Sequence, residues 1–297
     1  LGVRPADYIT DLRRHLIGEG ELRGAPAMSL QKMQRAGNPW GLPAQDRLAW
    51  ADGLDVPTVA DNPDFDVLYW VGCSAAYDRR TMKVARAVAQ LLQRAQVNFA
   101  VLGPEERCTG ESARRMGDEF LFQELAATNI ETFTKHNVKK IVTHCPHCLN
   151  SLRQDYPQFD GHYEVIHHTQ FLGELVAANK LKAATVMNES VTYHDPCYLA
   201  RVNGITEAPR ALLPEITEMP RHGCQTACCG AGGGRMWFDD PAEERIGTGR
   251  ITEALDTGAQ TVAVSCPFCL TMMTDGIAAK SDQVKVRDVS ELMLEEN

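Results

Sequence analysis

The stretches "IVTHCPHCL" at 141–149 and "AVSCPFCL" at 263–270 repeat one pattern, an apolar run, Cys-Pro-x-Cys and a helical continuation, with Cys145 and Cys266 121 residues apart. The repeat extends upstream. Between Cys108, in Cys108-Thr109-Gly110, and Cys145 lie 36 residues, and the same 36 separate Cys229, in Cys228-Cys229-Gly230, from Cys266. Earlier still, "DVLYWVGC" ends at Cys73, with 34 residues between it and Cys108, and "SVTYHDPC" ends at Cys197, with 30 residues between it and Cys228. Each half therefore reads strand-Cys, helix, strand, Cys-x-Gly, helix, strand, Cys-Pro-x-Cys, helix. Such alternation requires an α/β fold in which crossover helices join parallel strands.

The helical segments fit this scheme. "TMKVARAVAQLLQRA" (81–95) and "FLFQELAATNIETFTKH" (120–136) place apolar residues at three- and four-residue spacing. "PAEERIGTGRITEALDTG" (241–258) opens on Pro and closes on Gly, which predicts a helix over that span. After each Cys-Pro-x-Cys helix a short strand and a last helix follow, in "YEVIHHTQFLGELV" and "QVKVRDVSELML". The expected architecture is two duplicated β-α-β lobes with parallel sheets, related by a pseudo-twofold, behind an extended, partly helical N-terminal arm. The arm is assigned to 1–62, the first repeat to 63–182 and the second to 183–297. In the arm, "ITDLRRHLIGEGELRG" predicts one helix and "GNPWG" an extended stretch.

A Cys-x-x-Cys pair at a helix start can be a reactive dithiol or a metal clamp, because the helix N-terminus stabilises thiolate in both. The strand ends decide between them. In parallel sheets ligands collect at the carboxyl ends of the strands. Three strand ends per half carry cysteine, which gathers Cys73, Cys108, Cys145 and Cys148 in one place and Cys197, Cys228, Cys229, Cys266 and Cys269 in another. A disulfide exchanger needs only two thiols, so a metal or cluster site is the better reading. Four thiolates fit tetrahedral zinc or an iron–sulfur cluster, whereas five exceed what zinc takes.

The remaining composition bounds the class. The 44% apolar content supports a real core, and ten cysteines in a chain of this size fit reduced thiols in a reducing compartment better than a secreted disulfide scaffold. A formal charge of −9 with scattered basic residues argues against nucleic acid as a partner. No uninterrupted apolar run is long enough to span a bilayer and no secretory signal opens the chain, so the expected location is cytoplasmic, at most peripheral on the cytoplasmic membrane face.

The motifs "HDPCYLAR", "CCGAGGGRMWF" and "CPFCLTMM" resemble the cysteine-rich CCG domain found in the B and D subunits of heterodisulfide reductase. That family also includes quinone-linked iron–sulfur oxidoreductases fed by electron-transfer flavoprotein, and the resemblance covers about 66–297. It implies that Cys197, Cys228, Cys229, Cys266 and Cys269 hold a non-cubane [4Fe-4S] cluster and carry the chemistry. In the first repeat Thr109 stands where the second Cys of the pair would be. Cys73, Cys108, Cys145 and Cys148 are then left for a [4Fe-4S] cluster or zinc, iron being preferred. The implied function is an iron–sulfur oxidoreductase subunit passing electrons between a flavoprotein and a quinone or disulfide acceptor. Its implied partners are a flavoprotein or another iron–sulfur subunit and a membrane-bound quinone-reactive protein. Disulfide cleavage at the second cluster and a zinc-stapled docking scaffold are the alternatives. The arm resembles the linker that follows a ferredoxin-like domain in fused members, which would place such a domain before Leu1 or on another subunit.

Around the thiols, His144, His147 and His194 are expected to donate hydrogen bonds to ligand sulfurs, and His167 and His168 to be structural. Gly230, Gly232, Gly233 and Gly234 match neither a dinucleotide fingerprint nor a P-loop and are expected to bring backbone amides to the sulfurs. Arg107, Arg114, Arg115, Arg201 and Arg235 are the candidate cations beside the clusters. Cys224 falls outside the repeat and is expected to be a free or structural thiol.

Overall fold

The computed structural model describes residues 5–184, 189–213, 215–241 and 244–297. Four strands form the first sheet: β1 (Val67–Trp70), β2 (Phe99–Ala100), β3 (Lys140–Thr143) and β4 (Glu164–His167), all parallel in the order β2-β1-β3-β4. Three more, β5 (Val191–Tyr193), β6 (Thr261–Val264) and β7 (Lys285–Asp288), form a second parallel sheet in the order β5-β6-β7. Crossovers are helical, as parallel neighbours require.

In the arm lie α1 (Pro5–Gly18) and α2 (Gly24–Ala36), followed by a 3₁₀ helix at Ala44–Ala51. The arm thus holds a second helix where only one was expected. Next come α3 (Gly72–Tyr77), α4 (Arg79–Arg94), α5 (Glu111–Met116), α6 (Glu119–Lys135), α7 (Pro146–Asn150) and α8 (His168–Ala177). The second repeat contributes α9 (Glu207–Arg210), α10 (Gly247–Asp256), α11 (Pro267–Ala278) and α12 (Val289–Glu296). Asp78 and Asp118 cap α4 and α6 by accepting backbone N–H bonds, and Asp288 with Glu291 forms a capping box on α12.

Strand alternation divides the core. Tyr69 and Val142 point to one face of the first sheet, Leu68, Trp70 and Ile141 to the other. On the Tyr69 side one continuous cluster runs across both sheets, from Val84 and Leu92 of α4 to Val262 of β6 and Leu292 of α12. The two repeats therefore bury their inner faces against each other, and the strand ends that carry cysteine come to lie side by side.

Two expectations are corrected here. Among the described residues no strand lies between Cys197 and Cys228: the chain beside β5 makes one backbone bond, Thr217 N to Val191 O at 2.9 Å, and Pro220 has no N–H to extend a ladder. The helix expected from 241 begins at Gly247; residues 242 and 243 lie outside the described residues. Gly247 is where the chain meets Cys229, since a Cβ there would fall 2.4 Å from the Cys229 carbonyl oxygen.

Candidate metal centres

In the first repeat, Cys73 sits in the first turn of α3 just past β1, Cys108 lies between β2 and α5, and Cys145 caps α7 with Cys148 one turn in. Pro146 at the first helical position fits because its missing N–H would have no intrahelical partner. The Cys148 amide donates to the Cys145 sulfur at 3.5 Å. Cys73 and Cys108 are hydrogen-bonded, Cys145 and Cys148 likewise, and the Cys148 thiol also feels the charge of Cys73. The four converge as the strand-end argument required.

The second set is denser. Cys229 Sγ lies 3.3 Å from Cys269 Sγ, Cys228 is bonded to both Cys197 and Cys229, and Cys266 is bonded to Cys269. All ten cysteines are free thiols. Cys224 is exposed, with its sulfur 3.5 Å from the Ala200 carbonyl, and joins neither set.

The halves correspond atom for atom at three points. Gly110 and Gly230 adopt φ of +79° and +98°, which only glycine takes without strain, and each amide donates back to the first sulfur of its motif, Cys108 at 3.4 Å and Cys228 at 3.2 Å. The Thr109 hydroxyl stands 3.9 Å from Cys148 Sγ, where the Cys229 thiol stands against Cys269. Three residues before each strand-end cysteine, Trp70 turns its indole N–H toward Cys148 and His194 Nε2 lies 3.3 Å from Cys269 Sγ.

His194 Nε2 and the sulfurs of Cys229 and Cys269 fall within 4.8 Å of one another, close enough to share a metal. Arg250 Nε, however, donates to His194 Nδ1 at 2.8 Å, which leaves the ring proton on Nε2 and makes His194 a donor to Cys269. Burial, and next the charge of Arg250, lower the His194 pKa to about 3.

The cations are not those expected from sequence. Arg107 bonds the Ala36 carbonyl, Arg114 and Arg115 pair with Asp155, Arg201 bonds the Cys224 and Thr226 carbonyls, and Arg235 pairs with Asp240. The guanidinium that reaches a thiol is Arg47, from the arm, with Nη2 3.1 Å from Cys73 Sγ. Arg47 lies 26 residues before Cys73 in a segment without cysteine, so spacing gives no signal for it. Arg250, fully buried behind His194, is likewise invisible to a motif search.

The arm also covers the first site. The Cys108 amide donates to the Gly37 carbonyl at 2.7 Å, and Trp40 and Trp237 meet edge to face with ring centroids 5.3 Å apart above the cavity lined by Cys73, Cys108, Cys145 and Cys148.

His147 addresses a ligand sulfur, as expected, but one of the other repeat. Its ring Nδ1 lies 3.1 Å from a Glu111 oxygen, its ring stacks on Tyr198 at 4.1 Å, and its other polar partner is the Cys266 thiol of the second repeat. Burial opposes its charge, but Glu111 and Cys266 overcome this and raise its pKa to about 10. His144 turns away from the thiols to the Tyr69 hydroxyl, 2.8 Å from Nδ1. His167 and His168 are structural as expected, bonded to Thr169 and Asp288. Of the glycines, Gly230 and Gly232 bring amides to the Cys228 sulfur, whereas the Gly233 carbonyl accepts from Arg13 and Gly234 packs on Met116.

The thiols titrate unequally. Hydrogen bonds from Cys197 and Cys229 pull Cys228 down to about 2. Burial raises the Cys266 thiol, but Cys269 and His147 bring it down to about 5. Cys197 is pushed up first by its hydrogen bond to Cys228, and Cys269 first by its bond to Cys229 and next by that to Cys266. Several thiolates crowded in a buried site repel one another unless a cation joins them, and the buried Trp70 indole N–H is aimed at the Cys148 sulfur. Both features fit a thiophilic metal centre.

The chain matches the family model described as a cysteine-rich domain, CCG, twice, over 67–153 and 191–274. It is 42% identical to the probable iron–sulfur-binding oxidoreductase FadF of Bacillus subtilis over 97% of this chain and 43% of that protein. It is 38% identical to an EtfAB:quinone oxidoreductase of Syntrophomonas wolfei over 96% of this chain and 43% of that one. With the D subunit of dihydromethanophenazine:CoB–CoM heterodisulfide reductase from Methanosarcina mazei it shares 32% identity over 99% of this chain and 73% of the relative. The chain spans less than half the length of the first two of these curated relatives. On the twofold match and on these relatives, the chain belongs to the CCG cysteine-rich domain family, whose matched members here are named as iron–sulfur oxidoreductases and heterodisulfide reductase subunits.

Proposed function

We propose that this chain is the electron-transferring part of an iron–sulfur oxidoreductase and that each thiol set holds a metal cluster. The observation that carries the reading is the convergence of nine free thiols into two adjoining sets, four in the first and five in the second. In this reading Cys197, Cys228, Cys229, Cys266 and Cys269 hold a non-cubane [4Fe-4S] cluster and Cys73, Cys108, Cys145 and Cys148 a second [4Fe-4S] cluster. Bound there, such clusters supply one-electron transfer. The chain's own residues fix the sulfurs through the Gly110 and Gly230 amides, donate to them from Arg47 and His194, and exclude water with Trp40 and Trp237. The physiological donor is read as a flavoprotein, on the name of the Syntrophomonas relative, and the acceptor as a quinone reached through a membrane partner on the cytoplasmic face. No described helix is long and apolar enough to cross a membrane.

A second reading, disulfide cleavage at the five-thiol site, is favoured by one observation. A cavity of about 410 Å³ reaches Cys229 and Gly230 between Met272, Thr248, Arg245 and Lys280, which is room for a small organic substrate.

Anaerobic iron, zinc and sulfide analysis with electron paramagnetic resonance tests both readings. About eight irons per chain is expected for two four-iron clusters. About four irons with one zinc would confine redox chemistry to the second repeat, and zinc alone overturns the oxidoreductase reading. Reduction of a low-molecular-weight disulfide by the isolated chain would select the second reading.

A further inference from the structure

We infer that Arg47 is a positioning residue that sets the reduction potential of the first site, and that the N-terminal arm is thereby part of the redox centre. The inference rests on the reading of Cys73, Cys108, Cys145 and Cys148 as a metal–thiolate set.

Arg47 lies in the 3₁₀ helix Ala44–Ala51 and its side chain is only 2% exposed. Its Nη2 donates to Cys73 Sγ at 3.1 Å and to the Gly37 carbonyl at 3.4 Å, while Nη1 pairs with Glu106 Oε1 at 2.7 Å. Glu106 is fully engaged elsewhere as well: Oε1 accepts from the Gly72 amide at 2.9 Å and Oε2 from the Val71 amide at 3.2 Å. The carboxylate thus clamps the turn that leads into Cys73, and the guanidinium is held by carboxylate, carbonyl and ring, lying 5.4 Å from the Tyr77 ring centroid. Only its direction toward the sulfur is left to act on the site.

Anchoring the arm does not require this arrangement. Trp50, three residues on and 1% exposed, already inserts the segment into the shared core. A buried ion pair is costly to desolvate and can often be replaced by apolar packing without loss of stability. What an apolar residue could not supply is an N–H bond to a thiolate. Such a bond disperses negative charge on sulfur and favours the more negative, reduced state of the attached centre. In the second site the buried guanidinium of Arg250 acts one step removed, through His194 on Cys269. The two sites therefore differ in how directly an arginine addresses a ligand sulfur.

The test compares Arg47→Lys with the double variant Arg47→Met/Glu106→Gln, which removes the guanidinium without leaving a buried carboxylate unpaired. Potentiometric titration followed by electron paramagnetic resonance reads each site. The first-site midpoint is expected to fall by about tenfold in the oxidised-to-reduced ratio, which is about 59 mV for one electron. The Lys variant should fall less, and the second-site midpoint should not move. An unchanged first-site midpoint, or equal shifts at both sites, overturns the inference. If the native first site shows no redox signal, the redox reading of that site fails instead. The arginine is then judged on the Co(II)-loaded first site, whose thiolate-to-cobalt charge-transfer band should move to lower energy in the double variant. A band that stays in place overturns the inference there too.

Discussion

His147 belongs to the first Cys-Pro-x-Cys motif, yet its imidazole addresses Cys266, the leading thiol of the second. Phe268 holds the matching place in the second motif, and the two rings meet at 5.0 Å. The middle residues of the duplicated motifs thus face each other where the repeats join, and a polar ring on one side makes the junction asymmetric. His147→Phe would keep an aromatic ring there and remove the bond to Cys266. The expected outcome is a second-site midpoint lowered by about tenfold in the redox ratio with metal content unchanged, read by potentiometry. A shift confined to the first site would show that His147 acts within its own motif.

Cys229 is the thiol that distinguishes the second set, packed 3.3 Å from Cys269. Cys229→Ser is expected to remove or convert the second cluster while the first site keeps its metal. Metal analysis and electron paramagnetic resonance of the purified variant check this. Loss of both metals from a chain that remains folded would contradict two separate sites.

Thr109 occupies the corresponding place in the first set, 3.9 Å from Cys148. Thr109→Cys adds a fifth thiol, the lost methyl offsetting the larger sulfur in side-chain volume. In the Cys229→Ser background the first-site spectrum is expected to take on the character of the wild-type second site. An unchanged spectrum would mean that the fifth thiol does not decide cluster type.

Buried histidines make stability depend on acid pH. Burial first, and His168 next, lower the His144 pKa to about 3, and His194 is lowered to about 3 by burial and Arg250. An unfolded histidine titrates near 6.5. Below that pH the unfolded chain takes up protons that the native chain refuses, so stability falls as pH drops from 6.5 toward 3. Each group costs at most about 1.4 kcal/mol per pH unit. His147 has the opposite sign: with its pKa raised to about 10, its contribution is complete below 6.5 and is lost as pH rises through 10. Anaerobic urea unfolding between pH 6.5 and 5 should show His144→Gln losing stability less steeply than wild type, by one proton. Equal slopes would place the uptake elsewhere.

The parallel α/β repeat and the grouping of the cysteines into four and five were legible in the residues alone, whereas among the described residues the strand expected before Cys228 was not there. The repeat and the grouping follow from local pattern: short apolar runs for the strands, helix starts at Pro146 and Pro267, and glycines after Cys-Thr and Cys-Cys where positive φ is needed. Cys108 and Cys145 could be paired from spacing because a parallel sheet fixes where its strand ends lie. The charged and hydrogen-bonding neighbours of the thiols, by contrast, depend on how the elements pack. Arg47 reaches Cys73 because the arm folds back over β1, and His147 reaches Cys266 because the two repeats share one core. The arginines adjacent to cysteine in sequence turned instead to carboxylates and carbonyls. A long side chain takes its partner from whatever packing brings within a few ångströms, and sequence proximity to a ligand does not specify the direction in which it points.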